Sequence, residues 1–271
     1  MSSCRAASRW LALPWLVVFL PALATAAPEV QLEALTSTEL RDRIAAGATT
    51  VLVPIGGTEQ NGPHMVLGKH NLRVRVLAER IAQRLGHTLV APVMTYVPEG
   101  RIEPPVAHMR YPGTLSIPEP AFEAVLEGAA RSLCHHGLRE VVFLGDHGGY
   151  QKSEERVAAK LNRRAAGPAC RVHALGEYYR AAQQGHAQLL AARGFGADEI
   201  GQHAGLADTS LALAVDESLV RRDWLGRTST SAERPGVSGD PRRSSVELGR
   251  LGAEHIVEAS VAAIRARIAA R

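Results

Sequence analysis

Short apolar runs alternate with amphipathic stretches along most of the chain. Within residues 49–55, Val51, Leu52, Val53 and Ile55 form a run with the length and branched side chains of a buried strand. Comparable runs occupy residues 88–93, 140–144 and 170–175. Between them, apolar positions recur at helical spacing over 72–85, 118–136, 151–165 and 179–192. A helix over 36–46, with Ser37 or Thr38 placed to cap it, precedes the first strand, and an alanine-rich helix over 251–269 follows the last elements. Strands separated by helices of this length pair in parallel through right-handed crossovers. The pattern therefore predicts a layered α/β domain with helices on both faces of a mostly parallel sheet. In such sheets ligands bind beyond the carboxyl ends of the strands, which directs attention to the segments that follow them.

The first 26 residues break from this pattern. Arg5 and Arg9 precede an apolar stretch from Trp10 to Leu20, and Ala24-Thr25-Ala26 has the small residues of a signal-peptidase site. Pro14 and Pro21 interrupt the stretch, and no basic cluster follows to stop transfer. There is no twin-arginine pair and no cysteine at the cleavage point for lipid attachment. The expectation is a signal peptide over 1–26, one domain over 27–271, and a product in the periplasm or outside the cell without a stable membrane anchor. Losing Arg5 and Arg9 lowers the formal charge from +4 to +2. With so small a charge, 4% aromatic residues and no basic run longer than Arg242-Arg243, nucleic acid is not an expected partner. Cleavage also removes Cys4 and leaves Cys134 and Cys170, which an oxidising compartment could join or leave as two buried thiols.

Candidate chemistry is densest in residues 51–71, VLVPIGGTEQNGPHMVLGKHN. Behind the apolar run, Gly56, Gly57, Gly62 and Pro63 force a loop that presents Glu59, Asn61, His64 and His70. A second strand runs into Gly145-Asp146-His147-Gly148-Gly149, where a histidine and bare backbone amides can both approach a ligand. His203 and Asp208 precede the apolar run 211–215. Carboxylates and imidazoles of this kind converge in zinc and manganese hydrolytic sites, where the cation acidifies water and polarises the attacked carbonyl. Each has a plainer reading: His147 in a strand-to-helix turn, Asp208 as a helix cap, His203 on the surface. Residues 94–118, rich in proline, and 226–239, rich in Ser, Thr, Arg and Gly, read as long loops, either lids or disordered.

The order of these motifs is similar to that of the creatininase (creatinine amidohydrolase) family: P-x-G-x-x-E-Q-x-G-P-H at 54–64, G-x-H-G-G at 145–149, H-A-G-x-x-x-T-S at 203–210 and G-x-x-G-x-P at 236–241. The resemblance covers residues 37–265. It implies a three-layer α/β/α sandwich, hydrolysis of an amide-type and often cyclic C–N bond at a centre of one or two metals, and assembly as a homo-oligomer, in many relatives a hexamer. Carried over by position, it makes Glu59 and His147 metal ligands and places Asp208 at an acidic position usually filled by glutamate. It makes His203 a proton carrier and His64 a residue facing substrate, beside Asn61 and Tyr150. Three positions depart from the family pattern: Asn61 stands for a histidine, His70 for an aspartate that often bridges two metals, and Tyr150 for an asparagine. A set of Glu59, His70, His147 and Asp208 would hold one zinc or manganese more readily than two. The expected function is an exported, metal-dependent amidohydrolase acting on a small-molecule amide. The alternative is a noncatalytic periplasmic binding or sensing protein on the same fold.

Overall fold

The computed structural model describes residues 29–164, 170–225 and 235–270. The expected signal segment lies outside them, as does most of the 226–239 segment. Four strands form one parallel sheet in the order β2-β1-β3-β4, with β1 at Thr50–Ile55, β2 at Thr88–Val90, β3 at Glu140–Gly145 and β4 at Arg171–Ala174. Every residue of β1 and β3 is buried, as a central strand covered on both faces requires.

Ten helices surround the sheet among the described residues: α1 Ser37–Ala45, α2 Lys69–Leu85, α3 Glu119–His135, α4 Gln151–Arg164, α5 Gly176–Arg180, α6 His186–Ala191, α7 Ala197–Ile200, α8 Leu206–Val215, α9 Arg222–Leu225 and α10 Val246–Ala269. A π-helical turn, Ala181–Gly185, joins α5 to α6, so the single helix expected over 179–192 is one rod with a bulge in it. The strand pleat divides the core. Leu52, Val142 and Leu144 point to one side, against α2, α5, α8 and α10. Val51, Val53, Ile55, Val141 and Phe143 point to the other, against α3 and α4, with Leu40 and Ile44 of α1 packed on the same cluster. The result is the three-layer α/β/α sandwich.

Among the boundaries that differ from the periodicity are those of α1 and α2. The cap of α1 is Thr36, whose side chain accepts from Glu39 N–H while the Glu39 carboxylate accepts from Thr36 N–H. Helix α2 starts at Lys69, three residues before the expected start, so Lys69, His70 and Arg73 stand on its first two turns. Cys134, at the end of α3, is disulfide-bonded to Cys170, just before β4, with Cα atoms 5.7 Å apart.

From β1 the chain crosses to β2 on one side, and from β3 it crosses to β4 on the other. The crevice between the carboxyl ends of β1 and β3 is therefore the switch point of the sheet, where ligands bind in open α/β folds. Ile55 pairs with Gly145, so the segments that follow leave the sheet side by side.

Candidate active site

Glu59 lies on the floor of that crevice, with no exposed surface. Gly56 lets α2 come close enough to form the wall: a Cβ there would lie 2.8 Å from the Asn71 Cα, and Asn71 Oδ1 accepts from Gly57 N–H at 2.9 Å. The same close approach carries the first turns of α2 under Glu59. His70 Nε2 lies 2.7 Å from Glu59 Oε1, and His70 Nδ1 lies 2.6 Å from Asp146 Oδ2. Lys69 Nζ is ion-paired with Asp208 and lies 3.7 Å from Glu59 Oε1. Arg73 Nε donates to Asp146 Oδ2 at 2.9 Å, its Nη1 to Asp208 Oδ1 at 2.5 Å, and Tyr178 Oη to Asp146 Oδ1 at 2.7 Å.

This deep layer neutralises itself. Burial opposes the charge on Asp208, yet Lys69 and Arg73 hold its carboxyl well below the ordinary range. Burial likewise opposes charge on Asp146, and Arg73 and His70 outweigh it and lower its pKa. For Glu59 the opposing burial is overcome by the His70 hydrogen bond and by the charges of His70 and Lys69. Burial and Lys69 act against a charged His70, but the hydrogen bonds to Asp146 and Glu59 prevail and raise its pKa. Three cations thus face three carboxylates.

Above Glu59 the site is lined by partly exposed imidazoles. His108 Nε2 and His147 Nε2 lie 3.4 and 3.7 Å from Glu59 Oε2, and His203 Nδ1 lies 3.7 Å from Oε1. The rings of His108 and His203 lie against each other, tilted by 44° with centres 4.3 Å apart. His203 Nε2 lies 2.9 Å from the Gln60 carbonyl, which must accept from it, so Nδ1 keeps the bare lone pair. Burial and the Lys69 charge push the His203 pKa down to about 4, leaving the ring neutral at pH 7. Burial pushes that of His147 down to about 3, against the attraction of Glu59.

His108 and Glu99 come from the 94–118 segment, which is neither disordered nor an open flap. Met94 continues the sheet edge by exchanging hydrogen bonds with Pro54 and Gly56 at 2.9 Å. Leu115 N–H donates to Thr58 O at 2.9 Å, and Thr114 Oγ1 joins Gln60 N–H at 3.1 Å to the His108 carbonyl at 2.9 Å. Beside His108 and His147 the segment borders a cavity of about 530 Å³ that also reaches Arg101 and Glu119. Glu99 is buried, and burial together with nearby Glu59 pushes its carboxyl up to about 8.

The sequence expectations sort accordingly. Glu59, His147 and His203 converge as expected, whereas His70 and Asp208 do not face the open side. Both ring nitrogens of His70 are taken by carboxylates, and both Asp208 oxygens by Lys69 and Arg73. His64 is buried, with Nε2 3.0 Å from Thr209 Oγ1 and its carbonyl accepting from Arg221 N–H. Asn61 is also buried, and its amide donates to the carbonyls of Glu59 and Val66 at 2.9 and 3.0 Å. The Tyr150 hydroxyl donates toward the Ile55 and Gly56 carbonyls and accepts from Asp146 and His147 N–H, pinning the two loops together. The side chains of Asn61 and Tyr150 are thus bonded to the backbone of the loops that carry Glu59 and His147. Sequence reasoning missed Lys69, Arg73, Glu99 and His108. The available signal was the Lys69–Arg73 spacing of four, which puts two cations on one helical face.

Among the described residues, Glu59, His108 and His147 are the group whose side chains could together hold a cation. Glu59 Oε2 is buried and accepts no hydrogen bond from any described residue, and a cation seated among the three would supply its missing partner. An imidazole binds a cation through a bare nitrogen, so its other nitrogen carries the proton. His108 Nδ1 lies 2.9 Å from Gln60 Nε2, which also donates to the Gly236 carbonyl at 2.9 Å. Gln60 can accept from His108 Nδ1–H only with its amide turned over, at the expense of that second bond and of the one its Oε1 accepts from Gly62 N–H at 3.0 Å. The residues fit a divalent ion, and the carboxylates of the deep layer, Asp146 and Asp208, are already paired with His70, Lys69 and Arg73.

Fold and site together define a hydrolase-like α/β/α protein with a carboxylate and imidazoles at the switch point. The sequence matches the Creatininase family profile, described as creatinine amidohydrolase, over residues 33–264. The chain belongs to the creatininase family. It is 29% identical over 254 residues to the creatinine amidohydrolase of Pseudomonas putida, covering 85% of this chain and 94% of that protein. It is 29% identical over 213 residues to the mycofactocin precursor peptide peptidase of Mycolicibacterium smegmatis, covering 74% and 73%. A manganese creatininase structure superposes with a TM-score of 0.69 at 25% identity, covering 89% of this chain and 99% of that one. A mutant creatininase of the Zn-Zn type gives 0.70 at 26%, covering 89% and 98%.

Proposed function

We propose that the protein is a hydrolase of small-molecule amides that works with one divalent ion, zinc or manganese, held by Glu59, His147 and His108. The observation that carries this reading is the buried, unpartnered Glu59 Oε2 with two imidazole nitrogens on its open side. The names of the relatives support the reaction class, and the manganese and zinc forms of creatininase support the choice of ion. When bound, the ion supplies Lewis acidity and an acidified water. The chain's own residues do the rest. His203, neutral and with its Nδ1 lone pair facing the site, takes up a proton and delivers it to the leaving nitrogen. Gln60 fixes the His203 ring through its carbonyl, and the Lys69–Asp208 and Arg73–Asp146 pairs hold the floor rigid.

Export to the periplasm and assembly as a homo-oligomer belong to the same reading. The Cys134–Cys170 bridge supports an oxidising compartment. Exposed Leu67, Leu72, Leu115 and Trp224 are the kind of side chains a subunit contact covers. No helix among the described residues is long and apolar enough to cross a membrane.

The self-neutral deep layer favours a second reading, a binding or sensing protein that needs no ion. Metal analysis of the purified protein, followed by mass analysis of amides that raise its Tm, separates the two. Bound metal with consumed amides supports the hydrolase, and metal-free protein with unchanged ligands supports the sensor.

A further inference from the structure

The two nitrogens of His147 have different surroundings. Nε2 points toward Glu59 Oε2, and Nδ1 lies between two groups of opposite kind: Gly149 N–H, a donor, at 3.2 Å, and Glu99 Oε2, an acceptor, at 3.3 Å. Glu99 is buried, and neither of its oxygens accepts a hydrogen bond from any described residue. It is nonetheless held firmly. Its N–H donates to Ser116 Oγ at 3.0 Å, and Ser116 Oγ donates to the Gly100 carbonyl at 2.7 Å. Its carboxylate lies against the backbone of the β1 loop, where a Cβ on Gly57 would come within 2.4 Å of Oε1 at a φ of +148°. Gly149 adds no side chain of its own, and a Cβ there would lie 3.2 Å from both Pro98 O and the His147 ring. The carboxylate beside His147 is thus supplied by the 94–118 loop.

We propose that Glu99 is the positioning residue of the metal centre: a carboxyl oxygen of Glu99 accepts from the Nδ1–H of His147 and so leaves the Nε2 lone pair directed at the ion. The inference rests on the single-ion reading above. If Gly149 N–H holds the ring instead, Nε2 carries the proton and cannot bind. Glu99 supplies the acceptor that the metal-binding tautomer requires, in the carboxylate–histidine–metal arrangement that orients a ligating ring and strengthens it as a donor.

The test uses zinc alone as the probe. Zinc affinity, measured by competition with a chelator, is compared for the natural protein, Glu99→Leu and Glu99→Gln, and the His147 tautomer is read by long-range ¹H–¹⁵N NMR of the zinc-loaded natural protein. The expected result is Nδ1–H with Nε2 on zinc, an affinity lower by about 10- to 100-fold in Glu99→Leu, and recovery of most of that loss in Glu99→Gln, whose carbonyl can accept the same proton. Should Glu99→Leu fail to fold, the tautomer in the natural protein decides: zinc on Nδ1, or Nδ1 without a proton, overturns the proposal. Unchanged affinity in a folded Glu99→Leu overturns it too while leaving the single-ion reading in place. A natural protein that takes up no zinc overturns both.

Discussion

Lys69 is buried against Asp208, with its ammonium 3.7 Å from Glu59 Oε1, so a fixed positive charge of the chain itself sits under the proposed metal position. Two consequences follow for the ion. A second cation would have to displace Lys69 from Asp208, and the proposed ion would lie on the other side of Glu59, among His108 and His147.

Truncating Lys69 tests this arrangement. Lys69→Met leaves the Asp208 carboxylate with Arg73 alone in a buried setting, and breaking such a pair costs about 3–5 kcal/mol. Urea unfolding of the metal-free protein measures the loss. A change within about 0.5 kcal/mol, the range of an ordinary surface substitution, contradicts the pairing.

The pH dependence of stability has a defined sign on each side. Asp208 and Asp146 have depressed values in the folded state, so their contribution is present above the ordinary carboxylate range, near pH 4, and is lost as pH falls through the folded values. His70 has a raised value, so its contribution is complete below about pH 6.5 and is lost as pH climbs through its folded value. The neutral His147 and His203 act the other way below about pH 6.5, so His70 is isolated by comparison: His70→Gln should flatten the decline of Tm of the metal-free protein on the alkaline side. A Tm that rises steadily from pH 6.5 to 9 contradicts the protonated His70.

His203 should separate chemistry from metal binding. His203→Ala is expected to lower kcat by about 10²- to 10⁴-fold with metal content unchanged, because the ring moves a proton and does not hold the ion. Loss of the ion together with activity would make His203 a ligand.

Tyr150 is a structural pin, and Tyr150→Phe tests it. Two amide donors and two carbonyls lose one hydroxyl, at a cost of about 1–3 kcal/mol. KM for a hydrolysed amide should stay the same, since the hydroxyl points away from the open side. A rise in KM without loss of stability would return Tyr150 to the substrate.

Most of the scaffold was legible in the sequence, because buried parallel strands and amphipathic helices leave opposite periodicities. The runs around Val51, Val141 and Val172 became β1, β3 and β4, and the motifs at Glu59 and His147 met at the switch point. The deep layer was not legible. Lys69 and His70 precede the helix that periodicity reads from Leu72, Arg73 stands in its first turn, and basic residues are unfavourable there beside the helix dipole. Their burial is decided by Asp146 and Asp208, which lie 73 and 135 residues further along from Arg73. Glu99 and His108 sit in a proline-rich segment without period, and only tertiary hydrogen bonds from Thr58, Gln60 and Ser116 reveal its course. Asn61 and Tyr150 were placed by motif position, which does not tell whether a polar side chain turns to the substrate or to the backbone.

The metal content of the purified protein tests the central claim most directly. Elemental analysis after loading with excess zinc and removal of the free ion should give one equivalent per chain, and His147→Ala and Glu59→Gln should each abolish it. Two equivalents in the natural protein, or one equivalent that survives both substitutions, would contradict the site described here.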